Sequence, residues 1–180
     1  AVTSGVDESG VDAETTAQLV CELAALKAEA VFDTLPPGDV AVLGCDSLLD
    51  LDGRAQGKPS DRDAAAAAWR RMRGRQGVLS TGHHLIVREG GTVTRQTRAA
   101  NTIVRFADLS DLEIDAYVAT GEPDHVAGAF TIDGLGGAFI TGIEGDPHNV
   151  IGVSLPLLRE LLAAAGVRWP QLWRADLGDH

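Results

Sequence analysis

The chain has few aromatic residues and no excess of basic charge. The first shortage restricts the composition of the core, and the second bears on the kind of partner. Aromatic residues make up 4% of its 180 residues, so a core must be built mainly from Ala, Val, Leu and Ile. The net charge of −11 argues against a nucleic-acid partner, which needs a basic face. It still permits a phosphorylated small molecule, because a few local cations and a divalent metal can hold one.

Cysteines and long apolar runs are also scarce. Cys21 and Cys45 lie in an apolar helical pattern and an apolar strand pattern, which favours two reduced, buried thiols over a disulfide framework. No apolar run approaches the ~18 residues that a membrane-spanning helix needs, and no signal peptide is recognisable. We therefore expect a cytoplasmic protein with no membrane partner. The chain opens with Ala1 instead of Met, which predicts that its natural start is missing.

Several motifs of well-known sites are missing as well. There is no C-x-x-C or H-E-x-x-H pattern that would indicate zinc, and no G-x-S-x-G pattern of a serine hydrolase. His83 and His84 are adjacent, so on a strand they face opposite sides and cannot readily share one metal ion. The glycine-rich run from Gly134 to Gly137 lacks the G-x-G-x-x-G spacing, which excludes a dinucleotide fingerprint.

The first third of the chain predicts a helix followed by strands. Apolar residues recur at helical spacing from Ala13 to about Asp33, with Asp12 available as the N-cap. A strand then runs to about Cys45, a second short strand covers Leu48 to Leu51, and an Asp52-Gly53 turn follows.

The rest of the chain alternates helices with strands. One helix covers 60–74, with Ser60 and Asp63 at capping-box spacing, and another begins with the box Ser110 and Glu113. Between these helices two strands surround an EGG hairpin turn, and later segments predict the strand GAFITGIEG and the last helix LPLLRELLAAAG. This alternation predicts a single α/β domain over residues 1–180, built around a mixed sheet.

Asp46 and Lys58 are the first candidates for chemistry. An apolar strand pattern ends in Cys45 and then presents Asp46, and Lys58 follows in a Gly-Lys-Pro loop. A carboxylate at a strand end can deprotonate a water molecule or hold Mg²⁺, and a lysine can neutralise a phosphate. The spacing alone equally allows Asp46 to cap a turn and Lys58 to be a solvated loop residue.

Three other segments carry polar candidates. Glu8 follows another acid, and such pairs near the start of a chain are ordinarily just exposed. Lys27 lies at the margin of an apolar helix face, where a snorkelling side chain explains it equally well. Asp133 precedes the glycine-rich run, whose backbone could approach a ligand or simply form a turn.

Taken in order, these segments resemble the Maf family of nucleoside triphosphate pyrophosphatases. The similarity extends over nearly the whole chain and is carried by the blocks GVDES, LAALKAEAV, GCDSLLDLDGRAQGKP, STGHHLI, YVATGEP, AGAFTIDGLGGAFITGIEGDPHNVIG and LPLL. The resemblance implies an α/β fold of the Maf and inosine triphosphatase type: a long curved mixed sheet, flanking helices and two lobes around a central cleft. It also implies hydrolysis of a nucleoside triphosphate, or of a modified nucleotide, to the monophosphate and pyrophosphate.

The same resemblance implies roles for individual residues. Asp46 would be the base that activates water, Lys58 would bind phosphate, and Glu8 would complete the catalytic group. Asp46 and Glu8 would hold a divalent cation, Mg²⁺ or Mn²⁺. The residues expected to bind the substrate are Lys27, Ser47 and Asp133, the last two at the places where family members sort their bases. The family also suggests a homodimer and a role in septum formation, division arrest or nucleotide-pool cleaning.

The chain departs from the family pattern at three places. The family begins with a strand and a serine- and arginine-rich phosphate loop, and we expect this chain to lack both. Pyrimidine-preferring members usually have Thr and Gln where Ser47 and Asp133 stand, and a common lysine is replaced by Val126. The missing loop makes a nucleotide-binding regulator of cell division, with little or no catalysis, the alternative to an enzyme.

Overall fold

The computed structural model describes residues 2–173. In chain order the elements are α1 (Thr16–Phe32), β1 (Val40–Leu51), β2 (Arg54–Gln56), α2 (Arg62–Met72), β3 (Gln76–Glu89), β4 (Thr92–Phe106), α3 (Asp111–Ala119), β5 (Ile140–Glu144), α4 (Pro147–Ile151) and α5 (Leu155–Ala164). Short 3₁₀ turns cover Glu122–His125, Ala127–Ala129, Leu135–Phe139 and Trp169–Leu172. Within this range, no helix combines the length and the apolar character that crossing a membrane requires.

The strands form one sheet in the order β2-β1-β3-β4-β5. The predicted α/β fold with helices flanking a sheet is confirmed. The sheet differs from the predicted mixed one, because every strand pairing between residues 2 and 173 is antiparallel. Two hairpins account for part of this: the predicted turns at Asp52-Gly53 and Gly90-Gly91 join β1 to β2 and β3 to β4, with positive φ at all four residues.

Strand β1 is longer than predicted, and this changes the position of Asp46. Its ladder with β3 runs without a break from the pair Val40 and Arg88 to the pair Asp50 and Val78. The prediction of two strands separated after Cys45 was therefore wrong. Asp46 pairs with Gly82 in the middle of a continuous strand and does not lie at a strand end.

Helix starts were predicted less well than the helices themselves. Thr15 caps α1 in a capping box with Gln18, so the predicted start at Ala13 with Asp12 as the cap was wrong. Asp61 caps α2 by accepting the N–H of Ala64 at 2.8 Å, and Ser60 does not.

The later elements agree better with the sequence. The box of Ser110 and Glu113 is confirmed at the start of α3, and the last predicted helix is α5. The segment predicted as the strand GAFITGIEG is a 3₁₀ turn up to Phe139 and a strand only from Ile140. Helix α4 was not predicted.

The core is divided between the two ends of the long strands. At one end, Trp69 of α2 is fully buried and meets Phe106, Tyr117 and Phe139 edge to face. At the other end, α1 packs on Ile86 and α5 packs on Leu85, on opposite faces of β3. Asp46 lies between these two parts of the core, as a cleft between two lobes requires.

Candidate functional site

A close approach of α1 to the sheet brings Lys27 to Asp46. A Cβ atom added at Gly44 would lie 2.3 Å from the carbonyl oxygen of Ala24, and one at Gly82 would lie 2.1 Å from that of Val20. Only glycine at both positions lets the helix backbone rest on β1 and β3 in this way. The next turn of α1 then places Lys27 beside Asp46.

Glu8, Lys27 and Asp46 form an ion cluster. The Nζ atom of Lys27 donates to Oδ1 of Asp46 at 2.5 Å and contacts Oε1 of Glu8 at 2.9 Å. The side chains of Lys27 and Asp46 are only 24% and 14% exposed, whereas that of Glu8 is 46% exposed. The pair between Lys27 and Asp46 is thus shielded from water, and Glu8 closes the cluster on the solvent side.

Burial dominates the electrostatics of Asp46. Desolvation raises the pKa of Asp46 above its ordinary value, although hydrogen bonding to Lys27 and the charge of Lys58 act in the opposite direction. Burial also acts to lower the pKa of Lys27, but its contacts with Asp46 and Glu8 outweigh this and raise it. Lys27 therefore stays charged at neutral pH, and Asp46 is an aspartate of increased basicity.

Asp46 opens into a cleft with a volume of about 440 Å³. Lys27, Lys58, Ser47 and Asp133 line the cleft, and its wall includes Val126, which stands where the resemblance implies a lysine. The remaining wall is mainly apolar and includes Phe130, Ile132, Val150 and Ile151. This combination of a mostly apolar wall with a few converging charges is typical of sites for small molecules.

A second cavity of about 680 Å³ adjoins the cleft at Lys27 and Lys58. Its walls include the segment from Val2 to Val6, Glu8, and the part of β1 from Val40 to Cys45. Within residues 2–173, no strand pairs with this edge of β1 before Leu49. The two lysines therefore lie where two cavities meet, which suits a ligand with an organic part and a polyanionic part.

A buried hydrogen-bond chain fixes Ser47 and the far wall of the cleft. The Ser47 hydroxyl lies 2.8 Å from that of Thr81, which donates to the carbonyl of Asn149 at 3.0 Å. The Asn149 side chain donates to the carbonyls of Leu79 and Ala100, both at 3.2 Å, and is fully buried. These bonds hold α4, whose last residues line the cleft, against the sheet.

The carboxylates of Asp46 and Glu8 are oxygen ligands of the kind that a divalent cation takes. Among residues 2–173, no group of three or more His, Cys, Asp or Glu side chains is close enough to hold a metal ion by itself. Mg²⁺ at phosphate sites, however, usually takes one or two carboxylates and completes its shell with phosphate oxygens and water. The ammonium of Lys27 between the two carboxylates marks a position where positive charge is favoured.

Other reactive residue types near the site have structural roles. Burial raises the pKa of Cys45 to about 12, so its thiol stays protonated and is a poor nucleophile. Cys21 and Cys45 are both free thiols, each partly buried. His83 accepts the backbone N–H of Ser154 at 2.8 Å, whereas His84 bonds to Thr97 at 2.6 Å. The two imidazoles thus serve different neighbours, as predicted for adjacent residues of a strand.

The structure brings all of the predicted site residues to one region. They are Glu8, Lys27, Asp46, Ser47, Lys58 and Asp133. Sequence reasoning missed Thr81 and Asn149, which support Ser47, and Glu122, which holds the loop that carries Asp133. A polar residue inside an apolar strand was the available signal for Thr81, whereas Asn149 and Glu122 lie in segments whose fold was not predicted.

Comparisons with known proteins agree with this site. The family model described as Maf-like protein matches residues 1–165. A relative named nucleoside triphosphate pyrophosphatase from Cutibacterium acnes is 52% identical over 184 residues, covering 99% of this chain and 86% of its own length. A relative with the same name from Streptomyces coelicolor is 53% identical over 170 residues, covering 94% of this chain and 82% of its own. The chain is therefore a member of the Maf-like protein family.

Proposed function

We propose that the chain is a hydrolase that converts nucleoside triphosphates, or modified nucleotides, to the monophosphate and pyrophosphate. The observation that carries the proposal is the shielded carboxylate of Asp46, bound to Lys27 in the wall of a cleft of about 440 Å³. Such a volume is within the ordinary range for small-molecule sites. The activity predicted from the sequence is also the one for which the relatives are named.

Asp46 would be the general base. Its carboxylate takes a proton from a water molecule, and the water oxygen bonds to the α-phosphorus. The phosphoanhydride bond between the α and β phosphates breaks, and pyrophosphate leaves. Burial raises the pKa of Asp46, and a more basic carboxylate removes a proton more readily. Its place in the middle of β1 gives the carboxylate the rigid support that catalysis needs.

Lys58 and Lys27 would stabilise the triphosphate. Lys58 is exposed and lines both cavities, so its ammonium can reach a phosphate chain that extends from one cavity to the other. Negative charge on the phosphoryl oxygens grows or shifts during cleavage, and nearby cations lower the energy of that state. Lys27 is held by Asp46 and Glu8 and adds a second, less mobile cation.

Asp46 and Glu8 would hold the divalent cation, Mg²⁺ or Mn²⁺. When bound, the cation neutralises phosphate charge and orients the phosphate oxygens. Glu8 contributes its negative charge to cation binding. Its side chain is more exposed than that of Asp46, which suits a metal ligand that can be replaced by water.

Ser47 and Asp133 would select the base. Asp133 is exposed at the cleft, and a carboxylate accepts hydrogen bonds but donates none. It therefore favours bases with N–H groups on their pairing edge, such as guanine, uracil and thymine. The homodimer, the cytoplasmic location and the single domain predicted from the sequence belong to the same proposal.

The test is pyrophosphate release from a panel of common nucleoside triphosphates, with and without Mg²⁺. We expect release that depends on Mg²⁺, with one pyrophosphate formed for each monophosphate. Nucleotide binding without release would favour the alternative of a nucleotide-binding regulator. Cleavage at another phosphoanhydride bond, seen as orthophosphate, would contradict the assigned reaction.

A further inference from the structure

Glu122 collects four hydrogen bonds outside the cleft wall. Its Oε1 atom accepts from the hydroxyls of Tyr117 at 2.9 Å and Thr131 at 2.5 Å, and from the N–H of Gly136 at 2.8 Å. Its Oε2 atom accepts the N–H of Leu135 at 2.9 Å. Three of these donors belong to the loop from Thr131 to Gly136, so one carboxylate ties both ends of that loop to the turn after α3.

The glycine-rich run fits this carboxylate closely. A Cβ atom at Gly134 would lie 2.6 Å from Oε2 of Glu122 and 2.8 Å from its carboxyl carbon. Glycine at this position thus leaves room for the carboxylate inside the loop. In the sequence, the glycine-rich run suggested a backbone that could approach a ligand closely. In the structure, this backbone approaches the side chain of Glu122.

Glu122 is ionised at neutral pH. Burial acts to raise its pKa, but the hydrogen bonds from Thr131, Gly136, Leu135 and Tyr117 outweigh it and lower the pKa to about 2. A carboxylate that accepts several N–H and O–H groups is a strong anchor, because charge-assisted hydrogen bonds exceed neutral ones in strength.

The anchored loop forms part of the cleft. Thr131, Ile132 and Asp133 line the cleft from this loop, whereas Asp46 and Lys27 come from β1 and α1. A movement of the loop would therefore displace the wall that faces the base and leave the ion cluster in place.

We propose that Glu122 is a positioning residue, which fixes the loop from Thr131 to Gly136 and so sets the affinity and selectivity of the cleft for the base. The inference rests on the proposed function for the identity of the ligand. Glu122 contacts the loop and does not line the cleft, so its effect would reach a bound nucleotide through Asp133 and Ile132.

The substitution Glu122→Gln tests this with little change in shape. In the native chain one carboxylate oxygen accepts the N–H of Leu135 and the other accepts the N–H of Gly136. Whichever way the introduced amide is oriented, its NH₂ group faces one of these N–H groups, so one hydrogen bond is replaced by two opposed donors. Glu113→Gln is the matched control, because Glu113 caps α3 through Ser110 and glutamine also suits a capping box.

Binding is measured with non-hydrolysable α,β-methylene analogues of GTP and UTP, and turnover with the natural nucleotides. For Glu122→Gln we expect the Kd of the better analogue to rise at least about tenfold, the effect of losing one charged hydrogen bond. We expect kcat to fall less than about threefold, since the ion cluster stays in place. An unchanged Kd, a loss confined to kcat, or the same loss in Glu113→Gln would overturn the inference.

Hydrogen exchange separates this inference from the proposed function. The amides of Leu135 and Gly136 should exchange at least about tenfold faster in Glu122→Gln than in the native chain. Equal exchange would show that Glu122 does not hold the loop, whatever the activity. A native chain that binds the analogues but releases no pyrophosphate would contradict the proposed function alone.

Discussion

Replacing Lys27 by Met should move the acid limb of the pH profile to higher pH. The Nζ atom of Lys27 lies 2.5 Å from Oδ1 of Asp46, and both side chains are mostly shielded from water. A charged hydrogen bond of this kind contributes about 1.5–3 kcal/mol, and one pKa unit corresponds to about 1.4 kcal/mol. Loss of the bond should therefore raise the pKa of Asp46 further, because the ionised form loses its main hydrogen-bond partner.

The direction in which the acid limb moves follows from the role of Asp46 as the base. The base must be ionised, so kcat/KM rises with pH through the pKa of Asp46, and a higher pKa shifts that rise upward. The assay is kcat/KM from pH 4 to 9 for the native chain, Lys27→Met and Lys58→Met. Lys58 acts on Asp46 through charge alone, so its removal should shift the limb less. An acid limb that stays in place in Lys27→Met would refute the assignment of Asp46 as the base.

Three further outcomes follow from the same site. At pH 7, Asp46→Asn should have a Tm equal to or above that of the native chain. Burial raises the pKa of Asp46, so its ionised form lowers the stability of the folded state at that pH. Thermal unfolding measures this, and a clear drop in Tm would contradict it. Lys58→Met should lower phosphate affinity and rate by roughly 10- to 1000-fold, checked by steady-state kinetics, whereas a solvated loop residue would change neither. ATP should be a poor substrate beside GTP and UTP, because N1 of adenine is an acceptor and would meet the Asp133 carboxylate, which is also an acceptor; ATP as the best substrate would contradict this assignment.

Local signals predicted most of the elements. The hairpin turns at Asp52-Gly53 and Gly90-Gly91 and the capping box of Ser110 with Glu113 depend on neighbours within a few residues, so the sequence alone specifies them. The start of α1 was harder, because Asp12 and Thr15 are both good caps and only the side chain of Gln18 decides between them.

Non-local pairing explains what was not predicted. Asp46 and Ser47 interrupt the apolar pattern of β1 and suggested a break, but the continuous ladder to β3 carries the strand through them. Their polar side chains are accommodated because the cleft opens at that point. The antiparallel sheet likewise depends on which strands meet, which alternation of helices and strands does not determine.

The site followed from the family resemblance more than from spacing. Lys27 and Asp46 meet only because α1 rests on Gly44 and Gly82, a contact that no local pattern indicates. Glu122 was missed for a similar reason, since its four donors come from helix α3 and from the loop Thr131 to Gly136, which no local pattern brings together.

The central claim, that Asp46 activates water for cleavage of a nucleoside triphosphate, is tested most directly by pyrophosphate release from Asp46→Asn. Asp50→Asn is the matched control in the same strand, where the amide can still bond to Thr16 and Gly53. With Mg²⁺ and GTP or UTP, we expect release by the native chain and by Asp50→Asn at similar rates, and a loss of at least ~10²-fold in Asp46→Asn. Release by Asp46→Asn at the native rate would contradict the claim.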